Sequence, residues 1–317
     1  MSVDLSIIIV NWNGIEFLPA CLKSIVENPP TVSFEIVLVD NDSSDASVAR
    51  LKSDEAEKLL GETAFTLVES RENLGLGRAN NLAIEKSGAP FVFLLNPDTL
   101  VKPQAIDRLL ETLRADAKIG LVAPKLLNAD ETLQANAWAI PGAARTLVEG
   151  FRLQRLVPPK YRRKWLLSGA QNYQETRDVP LVSGAAMLVK RELIETVGAF
   201  DKQIFMYGED AEWCVRIGRG GWRIVLEPAA EIVHLGGQSA MQMWGAGDTR
   251  MKEEEAFLKF QQDCFSPFRV LRNTFARIFV LSVYFVSTTL RGRPNDHLKN
   301  VISLQIKGFS ESLRKLF

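Results

Sequence analysis

The chain has 317 residues, 46% of them hydrophobic, and its 38 Lys and Arg balance its 38 Asp and Glu. That apolar content excludes a disordered protein, and the length allows one large domain or a domain with an appendage. The three cysteines, Cys21, Cys214 and Cys264, lie far apart with no CxxC spacing, which argues against a zinc site or disulfide framework and fits buried thiols in a reducing compartment.

The amino terminus passes straight into LSIIIV, a first strand over Leu5 to Val10 and not a signal peptide, so the body of the protein is expected in the cytoplasm. Asn11-Trp12-Asn13-Gly14 ends that strand before a helix over about Ile15 to Val26. A second strand, Phe34 to Val39, ends in the acidic loop Asp40 to Asp45, and a third, Phe65 to Val68, runs into Glu72-Asn73-Leu74-Gly75-Leu76-Gly77-Arg78 and a helix. Strands alternating with helices predict an α/β fold with a mainly parallel sheet, whose strand-end loops share one rim. On that rim Asp40, Asn41 and Asp42 offer acceptors for a base and ribose hydroxyls, Gly75 and Gly77 allow close backbone approach, and Arg78 or the following helix amino terminus suits phosphate. Each acid could equally be a helix cap and each glycine a turn residue.

The fourth strand, FVFLL at Phe91 to Leu95, stops at Asn96-Pro97-Asp98. Asp98 therefore sits at a strand's carboxyl end, where open α/β sheets bind ligands and where a carboxylate can hold a divalent cation against a phosphorylated substrate. The plainer reading is that Asn96 and Asp98 cap the next helix.

Gly120 to Leu127 reads as another strand. Ala139 to Gln174 has little periodicity and many basic residues, including Arg152, Arg155, Lys160, Arg162, Arg163 and Lys164, as expected of a long functional or solvated loop. Pro180 to Val189 reads as one strand in which Ser183, Gly184 and two alanines leave room for a ligand. Tyr207 to Arg216 holds three acids in four residues, two of them at an expected helix start; Glu212 pairs with Arg216, while Glu209 or Asp210 could project into a site as a base. His234, one of only two histidines, closes a strand beside Gly236 and Gly237. A lone histidine there is more often structural than a ligand.

From Phe265 onward nine Lys and Arg face Asp296 and Glu311, a balance of +7 that leaves −7 for the rest. Ile278 to Leu290 is an uncharged, apolar run of about 20 Å as a helix, too short to cross a bilayer of about 30 Å. Residues 265–317 are therefore expected as a helical appendage to a domain over 1–264, lying on an anionic membrane, or packing on that domain or in a homodimer. The first 130 residues have no basic face with interleaved aromatics, which argues against nucleic acid.

The order of IIIVNWNG, VLVDNDSSD, ENLGLGRANN, LLNPD, SGAAMLVKR, GAFD, YGEDAEWCVR and VHLGGQS, over Leu5 to Ser239, resembles family 2 glycosyltransferases with the GT-A fold, and within them the rhamnosyltransferase-like group. The resemblance implies an inverting enzyme that uses Mg²⁺ or Mn²⁺ and a dTDP- or UDP-linked sugar, with a saccharide or polyprenyl-linked acceptor in cell-surface polysaccharide synthesis. It implies Asp210 as catalytic base, Asp98 and His234 at the metal, and Asn11, Asp40, Asn41, Asp42, Asn73, Gly75, Arg78, Asn80 and Asn96 with Asp98 at the nucleotide sugar. Glu209, Trp213, Ser183 and Gly184 fall on the acceptor side. Asn96 departs from the first acid of the DxD motif, and Asn41 stands where uridine-binding relatives often carry Asp. A non-catalytic nucleotide-sugar module and a glycoside hydrolase are the rival readings.

Overall fold

The computed structural model describes residues 3–158, 173–236, 238–292 and 295–315. The basic run from Lys160 to Lys164 lies outside them. The chain divides into two compact units, residues 1–138 with 168–243 and residues 139–167 with 244–317, so the boundary expected at 264 falls inside the second.

The first unit alternates strand and helix as the periodicity predicts: β1 (Leu5–Asn11), α1 (Leu18–Glu27), β2 (Phe34–Asp40), α2 (Ser47–Leu51), α3 (Asp54–Leu60), β3 (Ala64–Glu69), α4 (Leu76–Lys86) and β4 (Phe91–Leu95). It continues through β5 (Thr99–Val101), α5 (Ala105–Arg114), β6 (Ile119–Leu127), β7 (Leu133–Gln134) and β8 (Ala137–Trp138). All seven residues of β1 are buried, as a parallel strand covered on both faces requires. Leu18, Cys21, Leu22 and Ile25 of α1 and Ile106, Leu109, Leu110 and Leu113 of α5 recur at helical spacing and close over that core with Phe93 and Leu95. Each such fully buried side chain contributes about 1.5–3 kcal/mol by removal from water.

The sheet order is β3-β2-β1-β4-β11-β6-β12-β5, where β11 is Ala186–Lys190 and β12 is Arg223–His234. Strands β1 to β4 run parallel, with Asn11 opposite Asp40, which brings the predicted loops to one edge. Strand β11 runs antiparallel to β4 and β6, and β12 is antiparallel to β5, so the sheet is mixed. Strand β12 runs through from Arg223 to His234, with a register shift between Glu227 and Glu231 opposite Pro124 and Lys125. Pro124 and Pro228 cannot donate to the ladder, and an irregularity there bends the strand.

The strand expected over 180–189 is broken. Short β9 (Arg177–Asp178) and β10 (Leu181–Val182) precede β11, and β10 pairs with β8. Ser183, Gly184 and Ala185 leave the ladder because the Gly184 N–H is used elsewhere. After β11 come α7 (Arg191–Val197), α8 (Glu209–Arg219) and, beyond β12, α9 (Gln238–Cys264).

The second unit holds α6 (Ala143–Gly150), the end of α9, α10 (Pro267–Leu290) and α11 (Asp296–Arg314). Helix α10 packs on α6 and α11. It is one helix of 24 residues and not the expected thirteen, since arginine is a good helix former and Arg277 is paired with Glu254.

Candidate functional site

At the carboxyl ends of β1 and β2 the Asn11 amide donates to Asp40 Oδ1 at 2.9 Å and to Ser43 Oγ at 3.2 Å, while Asp40 Oδ2 accepts from the Ser43 N–H at 3.0 Å. These bonds hold the 40–45 loop in one shape. Asn11 Oδ1 is buried without a hydrogen-bond partner among the described residues. Asp42 projects into solvent from a left-handed backbone (φ 66°), a conformation Asp tolerates. Asn13 contributes equally, its Oδ1 accepting from the N–H groups of Ser44 and Asp45. Its place in a turn gave no signal beyond turn chemistry.

The next loop uses its polar groups on itself. The Asn41 amide donates to Asn73 Oδ1 at 3.0 Å and its own oxygen accepts from the Leu74 N–H at 2.9 Å. Buried Asn41 therefore ties the 73–75 loop to β2. Gly75 has φ 76°, and a Cβ there would collide with the Phe205 carbonyl, which accepts from the Leu76 N–H at 3.1 Å; Gly77 lies against Phe200 and Glu209. These glycines thus admit protein backbone and side chains where ligand approach was expected, and Phe205 occupies the helix amino terminus. Asn80 is buried and donates to Leu76 O inside α4. The neighbour that reasoning missed is Asn81, which exchanges two hydrogen bonds with the Phe200 backbone. Arg78 keeps 43% side-chain exposure and meets Glu72 only at 3.5 Å, so it is available to an anion.

Asp98 is 5% exposed, and its carbonyl accepts from the Leu235 N–H, which joins the LNPD loop to the end of β12. Its Oδ1 faces His234 Nε2 at 3.4 Å, and that nitrogen is buried with no hydrogen-bond partner among the described residues. His234 Nδ1 lies 2.6 Å from Gln134 Oε1. When Nδ1 carries the proton and donates to that amide oxygen, the Nε2 lone pair points at a carboxylate oxygen, and two acceptors face each other across a gap. A cation fits that gap. Among the described residues no three His, Cys, Asp or Glu converge on one point, so a divalent ion would take Asp98 and His234 from the protein and its other ligands from phosphate oxygens and water. Asn96 stands half-buried beside them, its carbonyl accepting from Thr99 Oγ1 at 2.7 Å and its N–H donating to Ala185 O.

That last bond leads to the second carboxylate. One residue from Ala185, the Gly184 N–H donates to Asp210 Oδ2 at 2.9 Å, and the Ala211 N–H donates to Oδ1 at 2.7 Å. Positive φ at Tyr207 and Gly208 turns the chain so that α8 starts on Glu209 and Asp210. Burial raises the Asp210 carboxyl above its ordinary value despite those two hydrogen bonds. Glu209 is 5% exposed, its Oε2 has no hydrogen-bond partner among the described residues, and burial with the Asp210 charge pushes it up to about 8. Asp210, which retains partial exposure, is the acid of the pair that a substrate can reach. Trp213 is not on an acceptor surface: it has no exposed area, donates to Gly198 O at 2.8 Å and lies 4.5 Å from the Phe200 ring. The i,i+4 pairing of Glu212 with Arg216 is present at 2.7 Å.

A model of the family described as "Glycosyl transferase family 2" matches residues 6–198. The chain is 30% identical over 232 residues to an N-acetylglucosaminyl-diphospho-decaprenol L-rhamnosyltransferase of Mycobacterium tuberculosis, with 68% of this chain and 69% of that protein covered. It is 27% identical over 237 residues to the low-salt glycan biosynthesis hexosyltransferase Agl10 of Haloferax volcanii, covering 73% and 67%. Among solved structures, a mannosyltransferase of Pyrobaculum calidifontis in complex with GDP-Man and Mn²⁺ superposes with a TM-score of 0.62 over 100% of this chain and 88% of that one, at 16% identity. That likeness establishes the GT-A architecture.

Proposed function

The chain belongs to glycosyl transferase family 2, and from that premise we propose that it transfers a sugar, rhamnose from dTDP-rhamnose, with inversion onto a polyprenyl-diphosphate-linked saccharide. The observation that carries this reading is the convergence on one sheet edge of two carboxylates in different surroundings. Asp98 faces a histidine lone pair, and Asp210 is held by the Gly184 amide two links of backbone away. Asp40 and Asn11 with the 40–45 loop form the nucleoside side, and exposed Arg78 meets the diphosphate. Asp98 and His234 would hold a divalent cation, which would supply charge stabilisation for the departing nucleoside diphosphate. Asp210 accepts the proton of the acceptor hydroxyl on the opposite side of the anomeric carbon, and its raised affinity for protons suits a base.

Turnover with dTDP-, UDP- and GDP-linked sugars and a polyprenyl-diphosphate-linked N-acetylglucosamine acceptor, with the product anomer read by NMR, tests this. Inverted transfer from dTDP-rhamnose is the expected result. Donor binding without transfer would make the chain a nucleotide-sugar module, and release of sugar from an unactivated glycoside would make it a hydrolase.

The second unit supports attachment to an anionic membrane. Phe268, Phe275, Phe279, Val283, Val286 and Leu290 are exposed and recur at spacings of seven, four, four, three and four along α10, one face of the helix. The opposite face, with Val270, Thr274 and Val280, is buried. By length and composition α10 could also cross a membrane, with mean hydropathy 1.3, but 33% of its most apolar window is buried in the protein. Exposed Arg272 lies within the stripe and exposed Arg291, Lys299, Lys307 and Arg314 follow it. A two-fold dimer across this face would oppose like charges, whereas lipid phosphates complement them. The full chain is expected to sediment with phosphatidylglycerol vesicles at low salt and to lose this when Phe275 and Phe279 become Ser. Failure to sediment, or a dimer dissociated by the same substitutions, would overturn the membrane reading.

A further inference from the structure

We propose that Gln134, on a hairpin 100 residues from the metal-binding histidine, is the positioning residue that keeps His234 in the tautomer able to bind a cation; the proposal rests on the reading of Asp98 and His234 as its ligands. The hydrogen bonds from the β6–β7 turn to His234 run in one direction. Asp130 Oδ1 accepts from Thr132 Oγ1 at 2.6 Å, so the Thr132 oxygen is left to accept from Asn128 Nδ2 at 2.9 Å. That fixes the Asn128 amide with its oxygen toward Gln134, whose Nε2 donates to Asn128 Oδ1 at 3.0 Å and to the His234 carbonyl at 3.2 Å. With both of those partners acceptors, Gln134 cannot turn its amide over, and Oε1 is the atom presented to His234 Nδ1 at 2.6 Å. An acceptor at that place requires a proton on Nδ1. In the neutral ring Nε2 then carries the lone pair aimed at the position shared with Asp98.

The sheet explains how so distant a residue comes to this place. Strand β7 pairs with β6 at Leu126 and Gln134, and β6 pairs with β12 at Leu126 and Ile232, so a hairpin on β6 ends beside the terminus of β12. Histidine ligands to metals are commonly oriented by an acceptor on their other ring nitrogen, and removing it typically weakens binding 10–100-fold. Glutamate at position 134 would keep the acceptor for Nδ1–H and lose the donor to Asn128 and the backbone. Methionine would fill the space and lose both.

Mn²⁺ alone, titrated into the full chain and followed by the EPR signal of the free ion, separates these cases. Gln134→Met is expected to weaken Mn²⁺ binding by about 10–100-fold, and Gln134→Glu to stay within a few-fold of wild type. With only His234 and His297 in the chain, a long-range ¹H–¹⁵N correlation of metal-free protein at mildly alkaline pH reads the tautomer directly, the proton on Nδ1 of His234 in wild type and no longer confined there in Gln134→Met. Equal Mn²⁺ affinity in wild type and Gln134→Met, or equal losses in the Met and Glu variants, would overturn the proposal, as would a wild-type proton on Nε2. A wild type that binds no Mn²⁺ would overturn the cation reading of Asp98 and His234 and this inference with it. Since the Glu variant also loses the donor bonds, a merely structural role for Gln134 would weaken both variants alike.

Discussion

Asp210→Asn is expected to reduce transfer by about 10²-fold or more, the scale of a lost general base, while leaving donor affinity within a few-fold of wild type. The amide is nearly isosteric. Its oxygen can still accept from either Gly184 or Ala211, so the turn that broke the 180–189 strand should persist and the fold with it. What is lost is a proton acceptor. The pH profile carries the same information: because burial raises the folded Asp210 carboxyl above 3.8, wild-type transfer should fall as pH drops through that raised value, and the variant should lack this acidic limb. Glu209→Gln is the control. Glu209 sits near 8 and is protonated at neutral pH, so its amide mimics the form already present and activity should survive. If the Glu209 variant is the inactive one, the base is the neighbouring acid. Single-turnover transfer rates with donor titration by calorimetry measure both effects.

Asp98→Asn is expected to lower transfer by a similar factor of about 10²-fold through loss of charge stabilisation, and, unlike the first variant, to weaken donor and Mn²⁺ binding together. Asparagine can donate from its amide to His234 Nε2, which has no hydrogen-bond partner among the described residues, and so occupies the cation's place with a hydrogen bond. The variant should therefore melt no lower than wild type, and a chelator should not affect it further. Excess chelator should reduce wild type to the level of the variant, and added Mg²⁺ or Mn²⁺ should restore wild type alone. Full turnover by Asp98→Asn, or by wild type in chelator, would remove the metal from this residue's role. Scanning calorimetry with metal-titrated turnover decides the matter.

Alternation of apolar strands with helices, and the turn residues at strand ends, are local properties of the chain. They sufficed to find β1, β2, β4 and the rim that bears Asn11, Asp40 and Asp98, because a parallel strand buried on both faces must be continuously apolar and must stop where its polar loop starts. An acid at a helix start was legible for a similar reason, but only as Glu209 or Asp210; the choice of Asp210 came from the resemblance. Partners could not be read in that way. Whether Gly75 meets a ligand or the Phe205 carbonyl, and whether Trp213 lines a surface or is buried against Phe200, depend on how residues more than a dozen positions apart are folded together. Asn41 looked like a base reader, but its amide was consumed by Asn73 and Leu74, since a buried amide must find partners and the nearest were in the next loop. The sheet order that sets β6 beside β12 alone brought Gln134 to His234, because hydrogen-bonded register, and no feature of either segment, decides which strand ends meet.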